Sequence, residues 1–151
     1  MESIRLGTAH LSDEVLVEEF ESCRLPAAQF HHADHIRLAW IYLGRMSEEE
    51  ATARIEQVIR RFAAHHGVSG KYHHTITLAW MRLVAAARRA TPDVRAFEVF
   101  AKRSPQLFDM KSLNLYYSAE RLASRDAKVE WVEPDLLKLP DNGGGTSEPP
   151  I

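Results

Sequence analysis

The chain has 151 residues, 45% of them hydrophobic and 26% charged, with a formal net charge of −2. That length suits one globular domain, and mild acidity with scattered arginines excludes a strong electrostatic footprint for nucleic acid. A lone cysteine, Cys23, excludes an internal disulfide and a thiolate-rich zinc site.

No apolar run approaches the roughly 20 residues needed to cross a bilayer, so no membrane partner is expected. Residues 1–15 lack the basic start and apolar stretch of a signal peptide, and the chain reads as cytoplasmic. Helix start and stop signals recur while alternating strand patterns are nearly absent. They predict an all-α fold, a compact bundle of about five to six helices with an extended C-terminal arm. Residues 1–140 form the single helical domain in this reading, and residues 141–151, rich in Gly and Pro, form a flexible tail.

Ser12 caps the first helix, with Leu11 and Leu16 at staple positions and Val15, Leu16, Phe20 and Cys23 as its apolar stripe. Pro26 redirects the chain. The second helix runs from His31 to Gly44, its core face set by Ile36, Ala39, Trp40 and Leu43. Ser47-Glu48-Glu49-Glu50 is a capping box opening helix three, which carries Ile55, Val58, Ile59, Phe62 and His66 inward. His65 and His66 then sit in the last turn before Gly67, where a cation suits the helix dipole.

Helix four follows the turn Gly67-Val68-Ser69-Gly70, with His73, Ile76, Trp80, Leu83 and Ala87 on one side. Thr91-Pro92-Asp93 predicts the start of helix five by its cap residue and following proline. A sixth helix is expected over residues 113–124, with Leu115, Ala119 and Leu122 inward and Tyr116 or Tyr117 at its edges. Beyond it Trp131, Leu136, Leu137 and Leu139 are the expected apolar anchors of the arm, which Pro134 and Pro140 keep extended.

Five of the eight histidines crowd the openings of helices two and four, in Phe30-His31-His32-Ala33-Asp34-His35 and Lys71-Tyr72-His73-His74-Thr75. Superposing Trp40 on Trp80 also aligns Ile36 with Ile76, Leu38-Ala39 with Leu78-Ala79 and Leu43 with Leu83, so one short helix pattern is used twice. At 100° per residue, with Ile36 central, His32 lies about 40° and His35 about 100° from the buried stripe, and Asp34 falls on the wet side. With Ile76 central, His73 lies about 60° away and His74 about 160°, pointing outward.

Convergence of His32, His35 and His73 would give three neutral nitrogen ligands for a divalent transition metal, zinc or iron, with a position open for water or substrate. His31 with His35 is a competing pair, and helix capping or packing is the plain alternative for each histidine. Asp34, Asp109 and Glu120 read as surface or capping groups. Tyr72, Tyr116 and Tyr117 are candidates to hold a water or donate to an anion. Trp40 and Trp80 read as core. The pairs Arg60-Arg61 and Arg88-Arg89 read as solvated faces from which one arginine could orient a carboxylate-bearing substrate.

The segment from Phe30 to Ile36, followed by Ala39-Trp40 and Tyr42-Leu43, resembles a pattern in small uncharacterised bacterial helical proteins: an aromatic residue, H-x-x-H, then an apolar helix. Tyr72-His73-His74-Thr75-Ile76-Thr77 is similar to the Y-H-E-T-x-T segment of those proteins, with His74 where they carry glutamate, a place the resemblance implies for a fourth ligand or a base. The resemblance covers about residues 26 to 90 and implies His32, His35 and His73 as a matched trio; it implies no reaction.

Three functions compete. The first is a metal-dependent enzyme on a small-molecule substrate, hydrolase or lyase rather than oxygenase, with His74, Tyr72 and Tyr116 assisting. The second is a metal-free pocket that binds an anionic ligand or performs acid–base chemistry. The third is a helical interaction module, for which a homodimer is one assembly.

Overall fold

The computed structural model describes residues 6–140. Among them the fold is all-α, with no strand, and no helix is long and apolar enough to cross a membrane. The predicted tail over residues 141–151 lies outside the described residues.

Helix α1, Asp13–Glu21, is capped by Ser12, whose hydroxyl accepts from the Val15 N–H, and it buries Leu16 and Phe20. Cys23, just beyond it, is buried and takes a left-handed φ of 65°. Helix α2, His32–Leu43, is the most enclosed element, burying Ile36, Leu38, Ala39, Trp40, Ile41 and Tyr42. Gly44 ends it where a side chain would collide with the Arg88 guanidinium. Helix α3, Glu48–His65, opens with the predicted capping box: Ser47 Oγ accepts from Glu50 N–H and Glu50 accepts from Ser47 N–H, both at 3.1 Å. His66 is its C-cap, as the capping reading expects. Helix α4, His74–Ala90, lies against both α2 and α3. Trp40 and Trp80 are both buried, so the repeated pattern supplies two halves of one core.

After α4 the sequence signals mislead. Thr91 does not open a helix: its hydroxyl donates back to Ala87 at 3.0 Å, closing α4, and α5, Phe97–Arg103, starts only after a turn. The single helix expected over residues 113–124 is also broken. A 3₁₀ segment, Met110–Leu115, is followed by α6, Ala119–Leu122, and α7, Arg125–Val129, because Ser118 and Ser124 each cap a new helix with their own side chains. This break turns Leu115 outward, 60% exposed, and buries Tyr117 instead, with its hydroxyl donating to Val132. In the arm only Leu139 is buried and Trp131 partly so, while Leu136 and Leu137 stand exposed.

Candidate functional site

The openings of α2 and α4 act first as clips for irregular chain. Asp34, predicted to face water, is fully buried. Its carboxylate accepts from the His31 N–H at 2.9 Å, closing the first turn of α2, and from Gly7 N–H, Thr8 N–H and Thr8 Oγ1 at 3.0, 2.9 and 2.5 Å. The wheel fails there because it counts only helices, and residues 7–8 cover the face it assigns to solvent. Arg37, one turn on and also buried, completes the clip by donating to the Thr8 and Leu11 carbonyls and pairing with Asp13. Gly7 is required by the close approach, since a Cβ would run into the Gln29 carbonyl.

The α4 opening holds the C-terminal segment in the same way. His73 is not inside the helix but is its N-cap: Nδ1 accepts from the Ile76 N–H at 3.1 Å, and Nε2 donates to the Leu122 carbonyl at 2.8 Å. Thr75 donates to the Glu130 carbonyl and accepts from the Val132 N–H, while Lys128 reaches back to the Gly70 and Tyr72 carbonyls.

The proposed ligand trio is therefore placed for other work. Both His73 nitrogens are engaged, which leaves no lone pair for a cation. His32 Nε2 lies 2.8 Å from the Leu107 carbonyl, which makes it the N–H donor, and its ring packs 4.5 Å from Trp80. His35 is separated from His32 by 6.5 Å between ring centroids and has a solvent-inaccessible Nε2 without a hydrogen bond. Burial, reinforced by His32, lowers its pKa to about 3. His32 is lowered too, by burial against the opposing Leu107 bond. Among the described residues no three His, Cys, Asp or Glu side chains form a metal-ion group. As placed, this trio does not fit a shared metal.

A different constellation forms where α3 meets α4. His74, predicted outward, is only 14% exposed in its side chain. Its Nδ1 lies 2.9 Å from the Tyr72 hydroxyl and 3.3 Å from Arg60 Nη2, with Glu56 at 3.9 Å. Arg60 also stacks over the Tyr72 ring at 4.3 Å and pairs with Glu56. Burial first, and then Glu56 against the opposing Arg60, raises the Tyr72 hydroxyl to about 12, so it remains a donor at neutral pH. With Tyr72 and Arg60 both donating to Nδ1, the His74 ring proton belongs on Nε2, which has no hydrogen-bond partner among the described residues.

Glu56 also lines a groove of about 1040 Å³ between α3 and α4. Its α4 wall carries Leu78, Arg82, Ala85, Arg88 and Arg89, its α3 wall Glu48, Glu49, Thr52, Ala53 and Glu56, and Trp131 borders it. His74 precedes Leu78 by one helical turn and so stands on the same face, at the Glu56 end. Arg89 and Glu48 pair at 2.8 Å at the opposite end. Tyr116, the third predicted catalytic residue, is not brought to this site: it lines a separate cavity of about 270 Å³ with Trp80, Leu107 and Pro140. Glu56, Arg82 and Trp131 were not singled out as site residues from sequence. The available signal was the row Leu78, Arg82, Ala85 and Arg89, which returns to one face of α4 at helical spacing. No family model, curated protein or solved structure matches the chain.

Proposed function

We propose that the protein acts on a small molecule held in the groove between α3 and α4, by metal-free acid–base chemistry centred on His74. The observation that carries this reading is the pairing of His74 Nδ1 with the Tyr72 hydroxyl at 2.9 Å beside Glu56, a groove-lining carboxylate. Tyr72 and Arg60 orient the imidazole and fix its tautomer. His74 can then give its Nε2 proton to a bound molecule as Nδ1 takes the Tyr72 hydroxyl proton, leaving a phenolate beside Arg60, and the reverse transfer takes the proton back. Glu56 pairs with Arg60 and so holds that guanidinium beside Nδ1. Hydrolysis, elimination and isomerisation all use such a step, and the reading places the protein in the cytoplasm as a small-molecule protein.

The test is chelator-treated protein assayed against a panel of small esters, amides and enolisable carboxylates. Turnover is expected to survive chelation and to fall by at least about 100-fold in His74→Gln, the lower range for loss of a general acid or base. Turnover that chelation abolishes and zinc or iron restores, or that His74→Gln leaves intact, would overturn the reading.

A further inference from the structure

Two groove-lining arginines stand apart from those held in ion pairs. Arg24, Arg37, Arg54, Arg60, Arg89 and Arg103 each pair with a carboxylate. Arg82 and Arg88, both half-buried and both groove-lining, have no carboxylate partner among the described residues. Each rests on an indole instead: the Arg82 guanidinium 5.2 Å from the Trp131 ring centroid, Arg88 4.7 Å from that of Trp40. Among the described residues the one further hydrogen bond of Arg82 is a long 3.5 Å approach to the Pro140 carbonyl. A guanidinium stacked on an aromatic face keeps its planar fork of donors available at its edge, the arrangement that suits a carboxylate. Burial and the neighbouring Arg95 disfavour the charged form of Arg88, and an anion beside it would offset that strain.

Two of the three acidic groups of the lining are already paired. Glu48 is held by Arg89 and Glu56 by Arg60, leaving Glu49, which is exposed, as the remaining acidic group of the lining. The apolar part of the lining is Leu43, Ala53, Leu78 and Ala85, a floor for the groove. Six residues separate Arg82 from Arg88, about 9 Å along the helix axis.

We infer that the groove binds a carboxylate attached to an apolar body, the carboxylate held by Arg82 or Arg88 and the body lying on the apolar floor toward His74. This rests on the groove reading above and names the class of molecule that site takes. Because both arginines rest on tryptophans, occupancy also changes the surroundings of Trp131 and Trp40, which gives a direct optical readout.

The probe is 3-phenylpropionate against its uncharged amide, followed by tryptophan fluorescence and by amide chemical-shift titration of the full chain. The acid is expected to shift resonances along residues 78–89 and to bind at least about 10-fold more tightly than the amide, the weight of one charge-assisted contact. Arg82→Gln with Arg88→Gln is expected to abolish that preference while circular dichroism shows the helices intact. Phenyl phosphate binding as the carboxylate does would make the site a general anion site and overturn the carboxylate assignment. So would equal binding of acid and amide, shifts elsewhere, or a preference that persists in the double variant. The same titration on His74→Gln separates the two readings: binding retained without any turnover defect removes the acid–base step and leaves the carboxylate site standing.

Discussion

His35 sets how this fold responds to acid. Its imidazole has an ordinary pKa of 6.5 and is lowered to about 3 in the folded chain, first by burial and then by His32. Between those values the unfolded chain carries a proton on this ring that the folded chain does not. The unfolded state therefore binds more protons, and stability falls as pH falls, being complete above about 6.5 and lost progressively toward 3. One unit corresponds to about 1.4 kcal/mol, so His35 alone removes about 2 kcal/mol on going from neutral pH to 5, and about 3 by pH 4. In a chain of this size 2 kcal/mol is about 4–8 °C in melting temperature.

The perturbation is His35→Leu, which deletes the titrating ring together with a buried Nε2 that has no partner. Nothing is left unpaired by losing that atom, so stability at pH 7.5 is expected to hold or to rise. Urea unfolding followed by tryptophan fluorescence and circular dichroism at pH 7.5, 6 and 5 reads the difference. Wild type should lose about 2 kcal/mol more than the variant across that range, and His32, lowered in the same direction, leaves the variant a smaller residual slope. Equal losses in the two proteins would refute the assignment of the slope to His35.

Asp34→Ala removes the acceptor of four hydrogen bonds inside the fold and is expected to destabilise by about 2–4 kcal/mol, as loss of a buried charged partner does. Gly7→Ala should release the same segment by collision with Gln29, so limited proteolysis should cut near residues 7–11 in both variants and not in wild type. His73→Ala loses an N-cap worth about 1 kcal/mol and the tie to Leu122. Faster hydrogen exchange at Ile76 and Val132 is expected, and unchanged exchange at both would contradict the clip.

The regular half of the fold was open to reading because its signals are local. Ser12, the box from Ser47 to Glu50 and the core positions Ile36, Ala39 and Trp40 of α2 and Trp80 and Leu83 of α4 each act within one helix and are found as read, whereas Ile76, the expected centre of the α4 stripe, is only half-buried. Beyond residue 90 the decisive contacts are not local. Thr91 bonds backward to Ala87, and Ser118 is held by Asp135, 17 residues away, with Tyr116 accepting from Leu136. No periodicity in residues 113–124 reports those partners, so a continuous apolar spacing looked like one helix. Asp34 failed for the same reason, its solvent face being covered from residues 7–8.

The histidine clusters show where a pattern stops carrying chemistry. The first turn of a helix leaves backbone N–H groups without partners, so polar side chains gather there whether or not a ligand is bound. Composition therefore marks the two openings without separating a clip from a site, and what separates them is the bonding capacity each ring retains. His73 spends both nitrogens on the chain, and His32 spends Nε2 on Leu107. His35 keeps Nε2 unspent but sealed from solvent, which suits acid sensitivity rather than turnover. Among the described residues His74 alone of these four combines an oriented Nδ1 with an unpartnered Nε2, beside the groove-lining Glu56.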